Sequence, residues 1–386
     1  MTDRLIYLDH AASTPLDPAV LDAMIPYLTG PASNASSIHR AGRRALDAID
    51  TARDTVAAIL GVTPREIIFT GGGSESDNLA IRGVAQARRA QGKTHLIISA
   101  IEHHAVLHAA EALAVDGFEL TILPVDRHGL VRPADLAAAL RDDTALVSIM
   151  YANNEVGTIQ PLTDLGAICR ARDVPLHTDA VQAPGSLPLD VRELGVDLLT
   201  IAAHKFYGPQ GVGVLYARRG VPLTPQVNGG AQERRRRAGT ENVAGIVGLA
   251  TALRRADACR AAYTTHCAHV RDALVAGILA RIPDAVLNGH PEHRLANNAN
   301  IAFAGIEGES ILLLLDRAGI AASSGSACTS GAIETSHVLR AMGLPEELAI
   351  GALRFSVGQA TTDQDIAAVL ALLPNMVEQL RAVRGR

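Results

Sequence analysis

Between residues 16 and 255, short apolar runs alternate with longer segments whose apolar residues recur at helical spacing. This alternation constrains the fold more than any single motif. Runs at Glu66–Thr70, His95–Ser99, Leu120–Pro124, Ala145–Tyr151, Leu176–Thr178, Leu198–Ala202 and Gly213–Tyr216 read as strands, and segments such as Ala105–Val115 and Pro133–Leu140 read as helices between them. Strands separated by helices need crossover connections, which predicts an α/β fold with a mainly parallel sheet covered by helices on both faces. Right-handed crossovers bring the strand C-terminal ends to one edge, where ligands bind. From Val243 to about Ile282 the chain reads as one long Ala-rich helix. Beyond it, Asn300–Phe303, Glu309–Asp316 and Ala352–Val357 predict a smaller α/β unit, and Thr362–Val383 an amphipathic closing helix. The expectation is a large domain over 15–255 and a small domain made of 1–14 and 256–386.

Composition narrows the classes of function. Of the 386 residues 48% are apolar but only 3% aromatic, with no Trp, so the core must be Ala, Leu, Ile and Val. Stacking platforms for single-stranded nucleic acid are not expected from such a chain. A net charge of -5 steers it toward neither phosphate backbones nor anionic membranes. Asp3, Arg4 and Asp9 interrupt any signal-peptide core, and the apolar stretches read as shorter than a membrane span, so a cytoplasmic protein is expected. Cys169, Cys259, Cys267 and Cys328 form no C-x-x-C pair, which argues against a disulfide framework or a zinc site.

Two constellations carry chemistry. Thr70-Gly71-Gly72-Gly73-Ser74-Glu75-Ser76-Asp77-Asn78 follows a strand and opens a helix. Glycines let backbone N–H groups approach an oxyanion, the helix N-terminus adds partial positive charge, and Ser74 can add a hydroxyl. No Gly-Lys-Ser/Thr follows, so this is not a Walker loop, and a plain turn with Ser74 or Ser76 as helix cap would read alike. Separately, Asp179 in His177-Thr178-Asp179-Ala180-Val181-Gln182 and Lys205 in Ala203-His204-Lys205-Phe206-Tyr207-Gly208-Pro209 fall at strand C-terminal ends. A lysine and a carboxylate facing an anion cradle are what pyridoxal 5'-phosphate requires. The lysine forms the imine, and the carboxylate keeps the ring nitrogen protonated.

At this point the sequence resembles a known family. The His-Lys followed by Tyr-Gly-Pro, the Thr-Asp-Ala-Val-Gln run, Ala-Asn-Asn-Glu-Val-Gly at 152–157 and Arg-Ala-Gly-Thr-Glu-Asn at 237–242 are similar to the class V aminotransferase group. Ser323-Ser324-Gly325-Ser326-Ala327-Cys328-Thr329-Ser330-Gly331 narrows the resemblance to the cysteine desulfurases, and Asn300–Phe303 with Glu307-Gly308-Glu309 to their nitrogen-fixation type. The likeness runs from Tyr7-Leu8-Asp9-His10-Ala11-Ala12 to Arg354-Phe355-Ser356. It implies a fold-type I transferase that holds pyridoxal phosphate on Lys205, with Asp179 at the ring nitrogen and Gln182 at the ring oxygen. His103 would stack on the ring and move protons, and Asn154 would face the ring oxygen or the substrate. Gly73, Ser74 and His204 would hold the phosphate, and Thr240 would reach the phosphate of a neighbouring subunit in a homodimer. Arg354 would clamp the carboxylate of L-cysteine. The family often has a serine phosphate ligand where this chain has Ala202, so one hydrogen bond is expected to be missing.

Cys328 lies among Ser, Gly, Ala and Thr, a stretch that reads as a loop rather than a buried strand. The resemblance makes it the sulfur acceptor, which leaves alanine from cysteine and passes the persulfide to an iron–sulfur scaffold or another thiol acceptor. No resident metal is implied beyond transient iron–sulfur ligation by Cys328 with such a partner. The other three cysteines read as structural. Arg234–Arg237 read as serving anion binding or a dimer interface rather than nucleic acid, and His103, His104 and His108 lack the zinc-protease pattern. Another enzyme of the same fold, such as an aminotransferase or a selenocysteine lyase, would share Lys205 and Asp179. A scaffold that only carries sulfur, or a nucleotide-binding protein, would not need them.

Overall fold

The structure, a computed structural model, describes residues 5–31, 33–324 and 335–384. The short strand β1 (Ile6–Tyr7) precedes two helices, α1 (Pro18–Leu28) and α2 (Arg40–Leu60). The large sheet follows, formed by β2 (Ile67–Thr70), β3 (His95–Ser99), β4 (Glu119–Leu123), β5 (Thr144–Ser148), β6 (Leu176–Asp179), β7 (Leu198–Ala202) and β8 (Gly213–Ala217). Its strand order is β2-β8-β7-β6-β5-β3-β4. The ladders from β7 across to β4 are parallel, and β8 runs antiparallel to both its neighbours. The expected mainly parallel α/β sheet is therefore present. Strands β3, β5, β6, β7 and β8 are buried at every residue, as strands covered on both faces must be. The edge strand β4 instead leaves Glu119 and Ile122 in solvent.

Several strand boundaries shift by a single residue from the sequence expectation, and the end of β5 shifts further. Pairing of β4 starts one residue early, at Glu119, and β5 ends at Ser148 rather than Tyr151. Beyond Ser148 the chain crosses the sheet edge, where Ile149 and Tyr151 still donate to the carbonyls of His177 and Asp179.

Helix Val243–Arg281 is continuous over 39 residues and is capped by Asn242, whose side chain accepts from Gly245 N. Its first half buries Ala244, Ile246, Leu249 and Leu253 in the core beneath the large sheet. Its second half buries Cys267, Val270, Leu274 and Ile278, at helical spacing, in a separate core. Each fully buried Leu there is worth about 1.5–3 kcal/mol. That second core lies on an antiparallel sheet of β9 (Ala285–Asn288), β10 (Asn298–Phe303) and, beyond the short β11 (Ile320–Ala321), β12 (Ala352–Ser356), with β10 central. Residue 255 falls in the stretch of the long helix between its two buried segments.

The closing helix Asp363–Arg384 packs Ile366, Val369, Leu373 and Val377 into the second core. By length and composition alone its Asp363–Val383 portion is apolar enough to cross a membrane. No stretch was expected to reach that mark, and the Leu- and Ala-rich run with few charges accounts for the difference.

Candidate active site

Because β2, β3, β5, β6 and β7 all point the same way, their C-terminal ends meet at one edge of the large sheet. This edge delivers Gly73, His103, Asn154, Asp179 and Lys205 to a single cleft of about 370 Å³. Ser74, Gln182, Ala202 and His204 line the same cleft, and Arg354 enters it from β12.

The cradle begins where β2 stops. Gly72 has φ +152°, a conformation side-chain-bearing residues avoid, and a Cβ on Gly213 would lie 2.7 Å from the Gly72 carbonyl carbon. This close approach turns the chain into helix α3 (Gly73–Arg89), whose first-turn amides have no intrahelical partner. Glu75 braces the turn, accepting from Gly71 N at 2.8 Å and pairing with Arg237 Nε at 2.7 Å. The N-terminus of α3 is thus a fixed donor site for an anion.

Lys205 follows β7 on a single tight turn. Its Nζ donates to the carbonyls of Ala11 and Ala12 at 2.7 and 2.8 Å. Gln182 Nε2 donates to the same Ala11 carbonyl at 3.0 Å. Burial, aided by the Arg354 charge, brings the Lys205 amine down to about 8, against the pull of Asp179 and Asp9. Such an amine is substantially deprotonated just above neutrality and is a usable nucleophile.

Asp179 ends β6 and accepts from Val181 N at 2.9 Å. Burial raises its pKa, while His103 and Lys205 oppose the rise. Behind it Asp77 is fully buried, and its Oδ1 has no hydrogen-bond partner among the described residues. Burial first and the Asp179 charge second push Asp77 well above the carboxylate range. His177 lies 3.7 Å from Asp77 Oδ1 but is pushed down to about 3 by burial, so it offers no counter-charge. Asp77, His103 and Asp179 bring ligand atoms within 4.8 Å of one another, a geometry that could also hold a cation. His103 caps helix α4 (His104–Val115). Its Nδ1 accepts from Ala105 N at 3.1 Å, which leaves Nε2 protonated in the neutral ring.

These elements form a pattern that the whole chain shares with known proteins. Residues 6–369 match the family described as aminotransferase class-V. The chain belongs to the class-V aminotransferase family. This member is 51% identical over 379 residues to a protein of Methanosarcina thermophila named cysteine desulfurase IscS, which covers 98% of this chain and 93% of the relative. Among solved structures, one titled NifS-like protein superposes with a TM-score of 0.92 at 37% identity, covering 97% of this chain and 100% of that one. Another, titled SspA in complex with cysteine, superposes with a TM-score of 0.81 at 35% identity, covering 92% of this chain and 100% of that one.

The class-V member departs from or extends the sequence expectation at several sites. Arg354 Nη2 pairs with Asp9 Oδ1 at 2.8 Å and Nη1 donates to the Asn154 carbonyl at 3.2 Å. The His204 ring makes a 3.3 Å contact to Ser13 Oγ and is brought down to about 4 by burial and by the Lys205 charge, so near neutrality it offers an anion a neutral donor. Thr240 does not line the cleft and is exposed. Cys328 lies outside the described residues, although Ser323 and His337, on either side of 325–334, both line the cleft. Burial pushes the thiols of Cys169 and Cys267 up to about 12, which keeps them protonated, whereas Cys259 is exposed. Of the arginine run, Arg237 is bound to Glu75. Glu233, Arg234 and Arg235 adopt positive φ values of 46°, 58° and 64°, and Glu233 is buried in a pair of hydrogen bonds from Arg53. Asp9, Asp77 and the Ala11 and Ala12 carbonyls were missed as site groups, although they sit inside motifs quoted for other reasons.

Proposed function

We propose that the protein is a pyridoxal-phosphate-dependent cysteine desulfurase, which takes the sulfur of L-cysteine, releases L-alanine and holds the sulfur as a persulfide on Cys328. The observation that carries this reading is a lysine amine brought down to about 8 at the same sheet edge as a buried acid pair and an open helix N-terminus. The relatives named cysteine desulfurase, and the neighbour solved with cysteine, support the choice of substrate.

The residues fit the cofactor. A Cβ on Gly73 would meet Val181 Cγ2 at 3.0 Å and fill the cradle beside Ala202. The partnerless oxygen of Asp77 behind Asp179 marks a place that needs a polar neighbour. Lys205 would tether the group and Asp179 would pair with its ring nitrogen. Gln182 and Asn154 would face its ring oxygen and His103 its ring face. Gly73, Ser74 and His204 would receive its phosphate without the hydroxyl that Ala202 lacks. When bound, the cofactor supplies an electron sink for a substrate amine.

The chain's own groups do the rest. Arg354 holds the substrate carboxylate, a task its planar fork suits. Lys205 Nζ, released from the Ala11 and Ala12 carbonyls, takes the α-proton of the bound cysteine. Neutral His103 exchanges a proton with the substrate thiol. The Cys328 thiolate attacks the substrate sulfur; the new S–S bond forms as the Cβ–S bond breaks, its electron pair stays with the three-carbon fragment, which takes up protons and leaves as L-alanine, and the persulfide passes to an iron–sulfur scaffold or another thiol acceptor. The protein works in the cytoplasm as a homodimer in which the exposed Thr240 reaches the neighbouring subunit's cofactor. It divides into a large domain, 15–255, and a small one, 1–14 with 256–386.

Purified protein supplied with pyridoxal phosphate and L-cysteine tests this. Alanine should form, with a persulfide mapped to Cys328 by mass spectrometry. Cys328→Ser should keep the absorption band of the bound cofactor and form no alanine. A keto acid in place of alanine would point to transamination and overturn the reading.

A further inference from the structure

Arg354 is 4% exposed, and a guanidinium that deep is costly unless a carboxylate neutralises it. The carboxylate that does so belongs to the chain itself: Asp9 Oδ1 lies 2.8 Å from Arg354 Nη2. The pairing is built into the backbone. Asp9 bridges Ser356, two residues along β12 from Arg354, while Ser356 N donates to Leu8 O at 2.7 Å and His10 N to Ser356 O at 3.3 Å. The Tyr7 hydroxyl also donates to the Asp9 carbonyl, at 3.1 Å. The main chain of Asp9 is therefore fixed beside Arg354, while its side chain keeps 22% exposure and can turn toward solvent.

The contact is also incomplete. A guanidinium and a carboxylate prefer two parallel hydrogen bonds, whereas Asp9 makes one. Arg354 Nη1 is spent on the Asn154 carbonyl, and Nε is buried with no hydrogen-bond partner among the described residues. A ligand carboxylate can offer the second bond that Asp9 withholds, but it must enter against the negative charge of Asp9.

We propose that Asp9 is an internal rival for the substrate carboxylate at Arg354. It keeps the guanidinium neutralised and aimed between turnovers, and it weakens every carboxylate ligand. Only ligands held by a second anchor, as an α-amino acid is by its amine, then displace it. Asp9 is thus a positioning and specificity-setting residue, and this proposal rests on the reading of Arg354 as the carboxylate clamp.

The test uses holoenzyme, with L-alanine and L-alaninamide as probes. Binding is followed by the cofactor absorption and, independently, by calorimetry. Asp9→Asn keeps the shape and removes the charge. It should tighten L-alanine by about five- to tenfold, as loss of a like charge beside a desolvated site does, and leave L-alaninamide within about twofold. Asp9→Glu keeps the charge and should bind L-alanine within about twofold of wild type. Arg354→Gln should abolish the preference for alanine over its amide. Unchanged or weaker alanine binding in Asp9→Asn, with the preference lost in Arg354→Gln, overturns the rivalry and leaves the clamp standing. A preference that survives Arg354→Gln overturns the clamp itself.

Discussion

The lysine that defines the cleft should destabilise the protein that carries it. An ordinary lysine titrates at 10.5, and Lys205 is brought down to about 8, chiefly by burial. The unfolded chain therefore keeps this proton up to about 10.5 and the folded chain only up to about 8. Between those values the unfolded state holds more protons, so the lysine's contribution to stability rises with pH in that window. Below pH 8 the folded state bears the whole penalty, which at about 1.4 kcal/mol per pH unit comes to about 3 kcal/mol. Lys205→Met removes the charge at similar volume. In the cofactor-free protein, urea unfolding should find the variant about 2–3 kcal/mol more stable than wild type at pH 6–7, with the gap narrowing to below about 1 kcal/mol by pH 10. Groups common to both proteins cancel in the difference, so the narrowing belongs to Lys205. A gap that is absent at pH 6, or that holds constant to pH 10, would refute a depressed lysine pKa and the account of its reactivity with it.

Two other substitutions probe the cradle and its support. Ala202→Ser, beside Gly73, should restore a hydroxyl to the phosphate site and tighten pyridoxal phosphate by about fivefold, the worth of one hydrogen bond, measured by equilibrium titration of the cofactor-free protein. Arg53→Ala would strand Glu233, whose carboxylate is 3% exposed and, among the described residues, otherwise accepts a hydrogen bond only from Phe69 N; a loss of about 3–5 kcal/mol is expected in chemical denaturation, and a loss below about 1 kcal/mol would show that the pair is not acting as buried.

What could be read in the sequence was what depends on neighbours along the chain. Apolar runs such as His95–Ser99 and Leu198–Ala202 announce buried strands because burial on both faces demands uninterrupted apolar residues. Once strands are assigned, Asp179 and Lys205 must fall at their ends. The reversal of β8 could not be read, because Gly213–Ala217 looks the same in either direction and only its partners β2 and β7 reveal the antiparallel ladders. Asp77 was hidden differently. It reads as the fifth residue of a helix, and its importance arises only because the strand order sets the end of β6 beside α3. The bond from Arg53 to Glu233 spans 180 residues, and three consecutive left-handed residues that are not glycine leave no compositional mark.

The charges of the cleft follow a consistent design. Burial holds His177 at about 3 and His204 at about 4 and lowers His103, so none of the three adds a cation near neutrality. Burial likewise raises the Asp77 carboxyl well above its ordinary range. The charges that then act on Lys205 are those of Arg354, Asp179 and Asp9. If His204 were charged, it would bind an anion more tightly but would also push the Lys205 proton off earlier, since the lysine charge already repels a proton on that ring. An anion site built from a helix N-terminus and neutral donors avoids this coupling, because amide dipoles carry no net charge to perturb the lysine. Lys205 is left to respond to Arg354, Asp179 and Asp9, the groups that a substrate and its carboxylate engage. A ligand carboxylate that enters at Arg354 adds a negative charge to that of Asp9, which shifts the lysine's proton affinity upward as the α-proton comes within reach, and the amine becomes a better base when it is needed as one.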